Sequence, residues 1–301
     1  MSSLKNITKT VLLIVLCTAA MSSRAQLNPF QSIYHQNPYI YNPAMAGIDN
    51  ALNINLNYRQ QWSSFPGTPK TTSFTLDFQP TERVGLGINV NDDQAGLIHQ
   101  TRIMGTYAYH LPLSESQQLH FGLSLGLDDS RVDYTKVIGD LTDEEISLYN
   151  QLKPYVDGDL GIAYTDKHLY ISSALPNLKT IFFQNSDDRF DADRMLFIAM
   201  ASYKIPFQDE NRSFVLEPLA AYRVVKGYNN IVDAGFIFTL NNYGLYMQSI
   251  YHSSRSIGVG FGLDQDTYAL NLSYNVETGA LSTYTTGAFE LGIKVRVFKK
   301  R

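Results

Sequence analysis

Leu52-Asn53-Ile54-Asn55-Leu56-Asn57-Tyr58 alternates apolar residues with asparagines without a break. The pattern resumes after a loop as Phe74-Thr75-Leu76-Asp77-Phe78. A period of two puts Leu52, Ile54, Leu56 and Tyr58 on one face of a strand and the asparagines on the other. The same rhythm recurs in Val84/Leu86/Ile88/Val90, Leu119/Phe121/Leu123/Leu125/Leu127, Ile257/Val259/Phe261/Leu263, Tyr268/Leu270/Leu272/Tyr274 and Phe289/Leu291/Ile293/Val295/Val297. The opposite faces read Gly, Asn, Ser, Thr and charge. One wholly apolar face on every strand predicts an all-β chain, a transmembrane antiparallel β-barrel with lipid outside and a polar lumen.

About fourteen candidate strands follow, each near the ~9–11 residues that a tilted membrane strand needs. They lie near 50–58, 71–79, 83–91, 101–110, 118–128, 156–165, 167–174, 194–204, 213–222, 231–239, 243–251, 256–263, 267–275 and 287–298. Glu217-Pro218 interrupts one of them and predicts a bulge or an edge-like irregularity there. The odd-numbered connections include the long segments Arg59–Lys70, Asp92–Gln100, Asp129–Tyr155, Leu175–Asp193 and Val276–Thr286. The even-numbered ones are short: Pro80-Thr81-Glu82, Asp166, Asn241-Asn242 and Asp264-Gln265-Asp266. Sorting by parity is expected of a barrel with long extracellular loops, short periplasmic turns and both termini periplasmic. Leu141–Asn150 starts like a capping box and predicts a short helix within a loop or the lumen.

Upstream, Lys5 and Lys9 precede the apolar run Val11–Leu16, and Ser23-Arg24-Ala25 offers small residues for cleavage. This predicts a signal peptide over residues 1–25, too short to span as a helix. Leu16 before Cys17 argues against a lipoprotein site, and removal of the signal would take away the single cysteine. Residues 26–50 are broken by Asn28-Pro29, Asn37-Pro38 and Asn42-Pro43, which predicts an irregular periplasmic or luminal segment ahead of a barrel over 51–301. Tyrosine is abundant, with 20 residues against one Trp, which suits the aromatic girdles of a barrel. A net charge of −4 gives no footprint for nucleic acid.

Chemistry-bearing patterns are sparse. The six histidines, His35, His99, His110, His120, His168 and His252, show no metal-ligand spacing. Asn91-Asp92-Asp93 with Gly96 lacks the terminal Glu of a calcium loop and reads as an acidic turn. Gly85-Leu86-Gly87 and Gly258-Val259-Gly260 lack the context of nucleotide motifs, and lumen-side glycines fit tight curvature or close packing of lumen contents instead. No Ser–His pairing suggests a lipase. The expectation is a non-enzyme without cofactor or metal.

A further series is Tyr41-Asn42-Pro43-Ala44-Met45-Ala46-Gly47, then Arg59-Gln60-Gln61-Trp62, then Gly67-Thr68-Pro69-Lys70-Thr71, then Gly85-Leu86-Gly87 with Asn91-Asp92 and Gly96. In order and spacing it resembles the PorP/SprF family, outer-membrane proteins of the Bacteroidota type IX secretion system. Thr68 stands where the family usually has Ala, and Phe298-Lys299-Lys300-Arg301 leaves no terminal aromatic. The resemblance implies a role in secretion and gliding: a barrel in the outer membrane that works with the type IX translocon. Its partner would be a secreted surface adhesin, retained through a type B C-terminal domain. Some family members are implied to join periplasmic, peptidoglycan-associated proteins. On this resemblance Tyr41–Gly47 and Arg59–Thr71 shape the partner-facing architecture, or else simply fix the lead-in and first hairpin. The competing expectation is a transporter of small hydrophobic molecules, with Leu27–Ala46 as a plug. A soluble exported β-protein is the third.

Overall fold

A computed structural model describes residues 32–62, 67–133, 144–182, 194–209, 212–278 and 287–298. Residues 1–25, expected to be a signal peptide, lie outside the described residues. The strands are β1 (Leu52–Gln61), β2 (Lys70–Thr81), β3 (Val84–Ala95), β4 (Ile98–Pro112), β5 (Gln118–Val132), β6 (Tyr155–Thr165), β7 (Leu169–Leu175) and β8 (Met195–Tyr203). They continue as β9 (Ile205–Asp209), β10 (Arg212–Val225), β11 (Ile231–Leu240), β12 (Leu245–His252), β13 (Ser256–Asp264), β14 (Tyr268–Glu277) and β15 (Ala288–Val297). All neighbours are antiparallel, and β15 pairs with β1 from Leu52↔Val297 to Gln61↔Ala288, so no edge remains.

β8 and β9 are one wall strand. Ser202 pairs with Leu219 and Ile205 with Leu216, so both stay in a single register along β10. With that merger the barrel has 14 strands, as the alternation predicts. The irregularity expected at Glu217-Pro218 falls elsewhere: β10 runs unbroken, and the interruption lies opposite, at Lys204. Pro218 has no N–H to give the facing strand. A separate register shift lies at Val224/Val225.

The barrel is inside out relative to a soluble protein. On β5, Leu123, Leu125 and Leu127 are 42%, 57% and 52% exposed, whereas His120 and Asp128 are fully buried. Such a closed wall can sit in hydrocarbon because every ladder group is paired within it. Among the described residues no helix is long and apolar enough to cross a membrane. The spans are strands.

One long loop is corrected. Asp92–Gln100 is not a loop, because β3 runs on to Ala95, β4 starts at Ile98, and only Gly96-Leu97 turns between them. Polar side chains sustain this extension: Thr71 donates to Asp93 (3.0 Å) and Thr101 to Asp92 (3.0 Å). Strands outlast the apolar belt where polar rungs stabilise them. Among the described residues the even-numbered connections are tight, at 82–83, 113–117, 166–168, 241–244 and 265–267. The expected helix is present as Glu144–Gln151, with its first residues outside the described ones. Asn150 clamps it to the end of β5 through Val132 N (2.7 Å) and O (2.9 Å).

Candidate functional site

A fourteen-stranded wall encloses more space than its own side chains fill. The described N-terminal residues occupy that space. From Ser32 to Gly47 nearly every side chain is buried, including Ile33, Tyr34, Tyr39, Tyr41, Asn42, Ala44 and Ala46. Two prolines, Pro38 and Pro43, each open a 3₁₀ turn, Pro38–Ile40 and Pro43–Met45, and these turns fold the segment into a compact plug.

The plug is tied around the whole circumference. Ser32 N–H donates to Glu290 on β15 (2.9 Å), Asn37 to Thr75 on β2 (3.0 Å) and Tyr39 to Thr106 on β4 (2.6 Å). Tyr34 donates to Asp233 on β11 (2.8 Å), and Gly47 N–H donates to Asp77 on β2 (2.9 Å). Asn42 caps its own turn by accepting from Ala44 N–H (2.9 Å). Its amide also donates to the carbonyls of Ile162 (3.0 Å) and Ser173 (3.2 Å).

Glycines on the inner wall let the plug approach. A Cβ on Gly122 would overlap Pro43 and Ala44, one on Gly85 the Ala46 carbonyl, and one on Gly161 the Asn42 amide. These are close packing positions, one of the two roles open to lumen-side glycine. Gly47 has φ +72°, and an added Cβ would meet Phe78 O at 2.6 Å. No other residue fits that corner comfortably.

Two ionic clusters brace the lumen beside the plug. Arg223 makes a bidentate pair with Asp233 (2.8 and 2.9 Å), both fully buried, and His252 completes the carboxylate at 2.6 Å. Arg102 pairs with Asp159 (2.7 and 3.0 Å) and lies near Asp157 and Asp128, while Arg194 reaches Asp128 (3.3 Å) and Tyr155. His110 and His120, ten residues apart, meet Nδ1 to Nδ1 at 2.8 Å. His110 Nε2 lies 3.1 Å from the Ala46 carbonyl, which can only accept, so the ring donates there and its Nδ1 accepts from His120. Among the described residues no three His, Asp or Glu side chains converge as metal ligands.

The motif series separates into two places. Tyr41, Asn42, Pro43, Ala44 and Gly47 belong to the plug. Tyr41 packs against Tyr34, ring centroids 4.8 Å apart and planes tilted by 41°, and Gly47 sits beside Asp77 and Gly85, toward the short-turn end. Arg59, Gln60, Gln61, Trp62, Gly67, Pro69, Asn91, Asp92 and Gly96 gather toward the opposite mouth. Arg59, buried, lies 3.4 Å from Glu290 across the β1–β15 seam. Gln61 N–H donates to Pro69 O (3.0 Å), Trp62 N–H to Gly287 O (2.8 Å) and Gly96 N–H to Gly67 O (3.2 Å). Gln60 faces Thr68 (3.5 Å), Asn91 donates to Asn89 (3.0 Å), and Asp92 lies 2.5 Å from His99. Thus β1–β2, β3–β4 and β14–β15 are stitched into one rim.

The sequence reading of a polar lumen missed a sector. Ala174, Ile198, Met200, Leu219, Ala221, Ile237, Tyr246 and Ile250 point inward and pack against Ile33, Tyr34 and Tyr41. The signal was present in Met195–Met200, which is apolar on both faces and does not alternate. Between this sector, the plug and the β6–β7 turn lies a cavity of about 290 Å³.

No curated protein matches the sequence. Among solved structures, Omp33 of Acinetobacter baumannii, an outer membrane protein, is 9% identical, with 83% of this chain and 99% of that one covered at a TM-score of 0.46. CdiB of Acinetobacter baumannii is 10% identical, covering 82% of this chain and 60% of that one at 0.43. The family described as type IX secretion system membrane protein PorP/SprF matches residues 23–295. With a closed barrel, a seated lead-in and the motif series in place, the chain belongs to the PorP/SprF family of type IX secretion membrane proteins.

Proposed function

We propose that this barrel is a non-catalytic anchor of the type IX secretion and gliding machinery in the outer membrane. It helps secrete a surface adhesin and retains it by binding its type B C-terminal domain. The observation that carries the reading is the plug: a lumen filled from Ser32 to Gly47 and bonded to the wall on several sides suits a rigid docking platform better than an open conduit. The long-loop mouth, where Arg59–Pro69 and Asn91–Gly96 join, faces outward and receives the cargo. The short-turn end and both termini face the periplasm, in keeping with the parity of the connections. Association with periplasmic peptidoglycan-bound components would use that inner end.

The test is a gentle detergent pull-down of the tagged protein from its native outer membrane, with mass spectrometry of what accompanies it. A large adhesin with a C-terminal sorting domain, or the translocon, supports anchoring. Peptidoglycan-binding proteins alone would reduce the role to a structural link. A barrel that comes down bare and takes up small hydrophobic molecules would replace anchoring with transport.

A further inference from the structure

A cavity of about 290 Å³ lies at the short-turn end, between the plug and the inner wall. Its walls are apolar through Met45, Leu169, Met200, Leu219 and Ile237. Three charges also line it: Glu217 and Lys204 on the wall, and Asp166 in the β6–β7 turn. The register that pairs Ser202 with Leu219 and Ile205 with Leu216 sets Glu217 opposite Lys204 on the inner face. Yet no ion pair within 4.0 Å joins them. Glu217 is 7% exposed, and its described contacts are the Ser202 hydroxyl (2.6 Å) and, at 3.9 Å, His35 Nδ1. Burial holds the His35 imidazole below its ordinary pKa, so at neutral pH the ring brings no cation. A buried carboxylate with one neutral donor is costly unless a cation reaches it. Lys204, exposed at the mouth, is a second charge with an open coordination sphere.

We propose that this cavity binds a small zwitterion with an apolar body, the class of the free apolar α-amino acids. The ammonium sits against Glu217, the carboxylate against Lys204, and the side chain among Met200, Leu219 and Ile237. Size limits the ligand: the cavity lies at the bottom of the range for small-molecule sites, roughly 300–1,000 Å³, too small for a folded segment. The proposal is independent of cargo anchoring, since it uses the opposite end of the barrel.

The experiment is titration calorimetry of the detergent-solubilised protein with L-leucine, leucinamide, N-acetylleucine and glycine. Leucine should bind saturably. Each analogue, lacking the carboxylate, the ammonium or the apolar body, should bind about tenfold more weakly or worse. Glu217→Gln, which can still accept from Ser202, and Lys204→Met should each weaken leucine about tenfold while unheated gel mobility stays that of the folded barrel. If Glu217→Gln fails to fold, the exposed Lys204→Met still decides. No binding of leucine, equal binding by the Lys204→Met variant, or leucinamide binding as tightly as leucine would overturn the proposal.

Discussion

Tyr41–Gly47 and Arg59–Gly96 belong to one motif series, but the barrel uses them in opposite ways. The first half is enclosed, and its polar groups meet named wall partners: Asn42 on two carbonyls and Gly47 on Asp77. The second half joins turns largely by backbone bonds, such as Gly96 to Gly67 and Trp62 to Gly287, and leaves side chains such as Asp92 in solvent. The difference separates residues specified by packing from residues free to meet a partner. Substitutions in the first half should damage the plug and the fold. Substitutions at exposed rim positions of the second, such as Asp92, should spare the fold, whereas the buried Arg59 and the plug-facing Gly85 behave like the first half.

The largest effect on lumen closure should come from Gly122→Val. The added side chain needs the space of Pro43 and Ala44, whose backbone cannot yield without the turn unwinding. Overpacking of this kind costs about 1–3 kcal/mol or more. In planar bilayers the wild type should stay closed, while the variant should either conduct or lose its heat-modifiable folded band. A variant that remains closed, with a protease-protected plug, would show that the segment does not need that glycine.

Asp233→Asn comes next. The carboxylate takes two of the three Arg223 nitrogens, His252 and Tyr34, so its loss strands a fully buried guanidinium. Removing one partner of such a pair costs about 3–5 kcal/mol, to be read as a lower urea midpoint of the folded band. This weakens the fold without adding bulk, so the lumen should stay closed where Gly122→Val opens it. Asn42→Ala removes a turn cap and the donor to two carbonyls, for about 1–2 kcal/mol by the same assay. An unchanged midpoint would mean that the plug's tip is held by packing alone.

The legibility of these two halves differed for a physical reason. Strand existence was written in residues such as Leu52–Tyr58, because a period of two in a wall with lipid outside tolerates few exceptions. Lumen-side glycines are compatible with tight curvature as well as with close packing, and Leu27–Ala46 reads as a plug only under the transport alternative. The plug's contacts join residues far apart in sequence, such as Tyr34 and Asp233, and no local pattern records them. The apolar inner sector was hidden because Met195–Met200 is apolar on both faces, which a strand facing lipid and a strand facing an apolar plug share. Asp92–Gln100 was misread as a loop since polar residues signal exposure, and an exposed strand that outruns the membrane is as polar as a loop.

The smallest stability effect is the most informative about the rim. Asp92→Asn removes an exposed pair with His99 and leaves Thr101 an acceptor, so the folded band should shift by no more than about 0.5 kcal/mol. If the rim receives cargo, the same variant should still lower recovery of the surface adhesin in the pull-down severalfold, since a charge presented to a partner counts for more in binding than in folding. Gly122→Val would lower that recovery too, but only together with the folded band. Loss of partner with the barrel intact is a signature that the packed half cannot produce. Full recovery with Asp92→Asn would move the docking surface away from this part of the mouth.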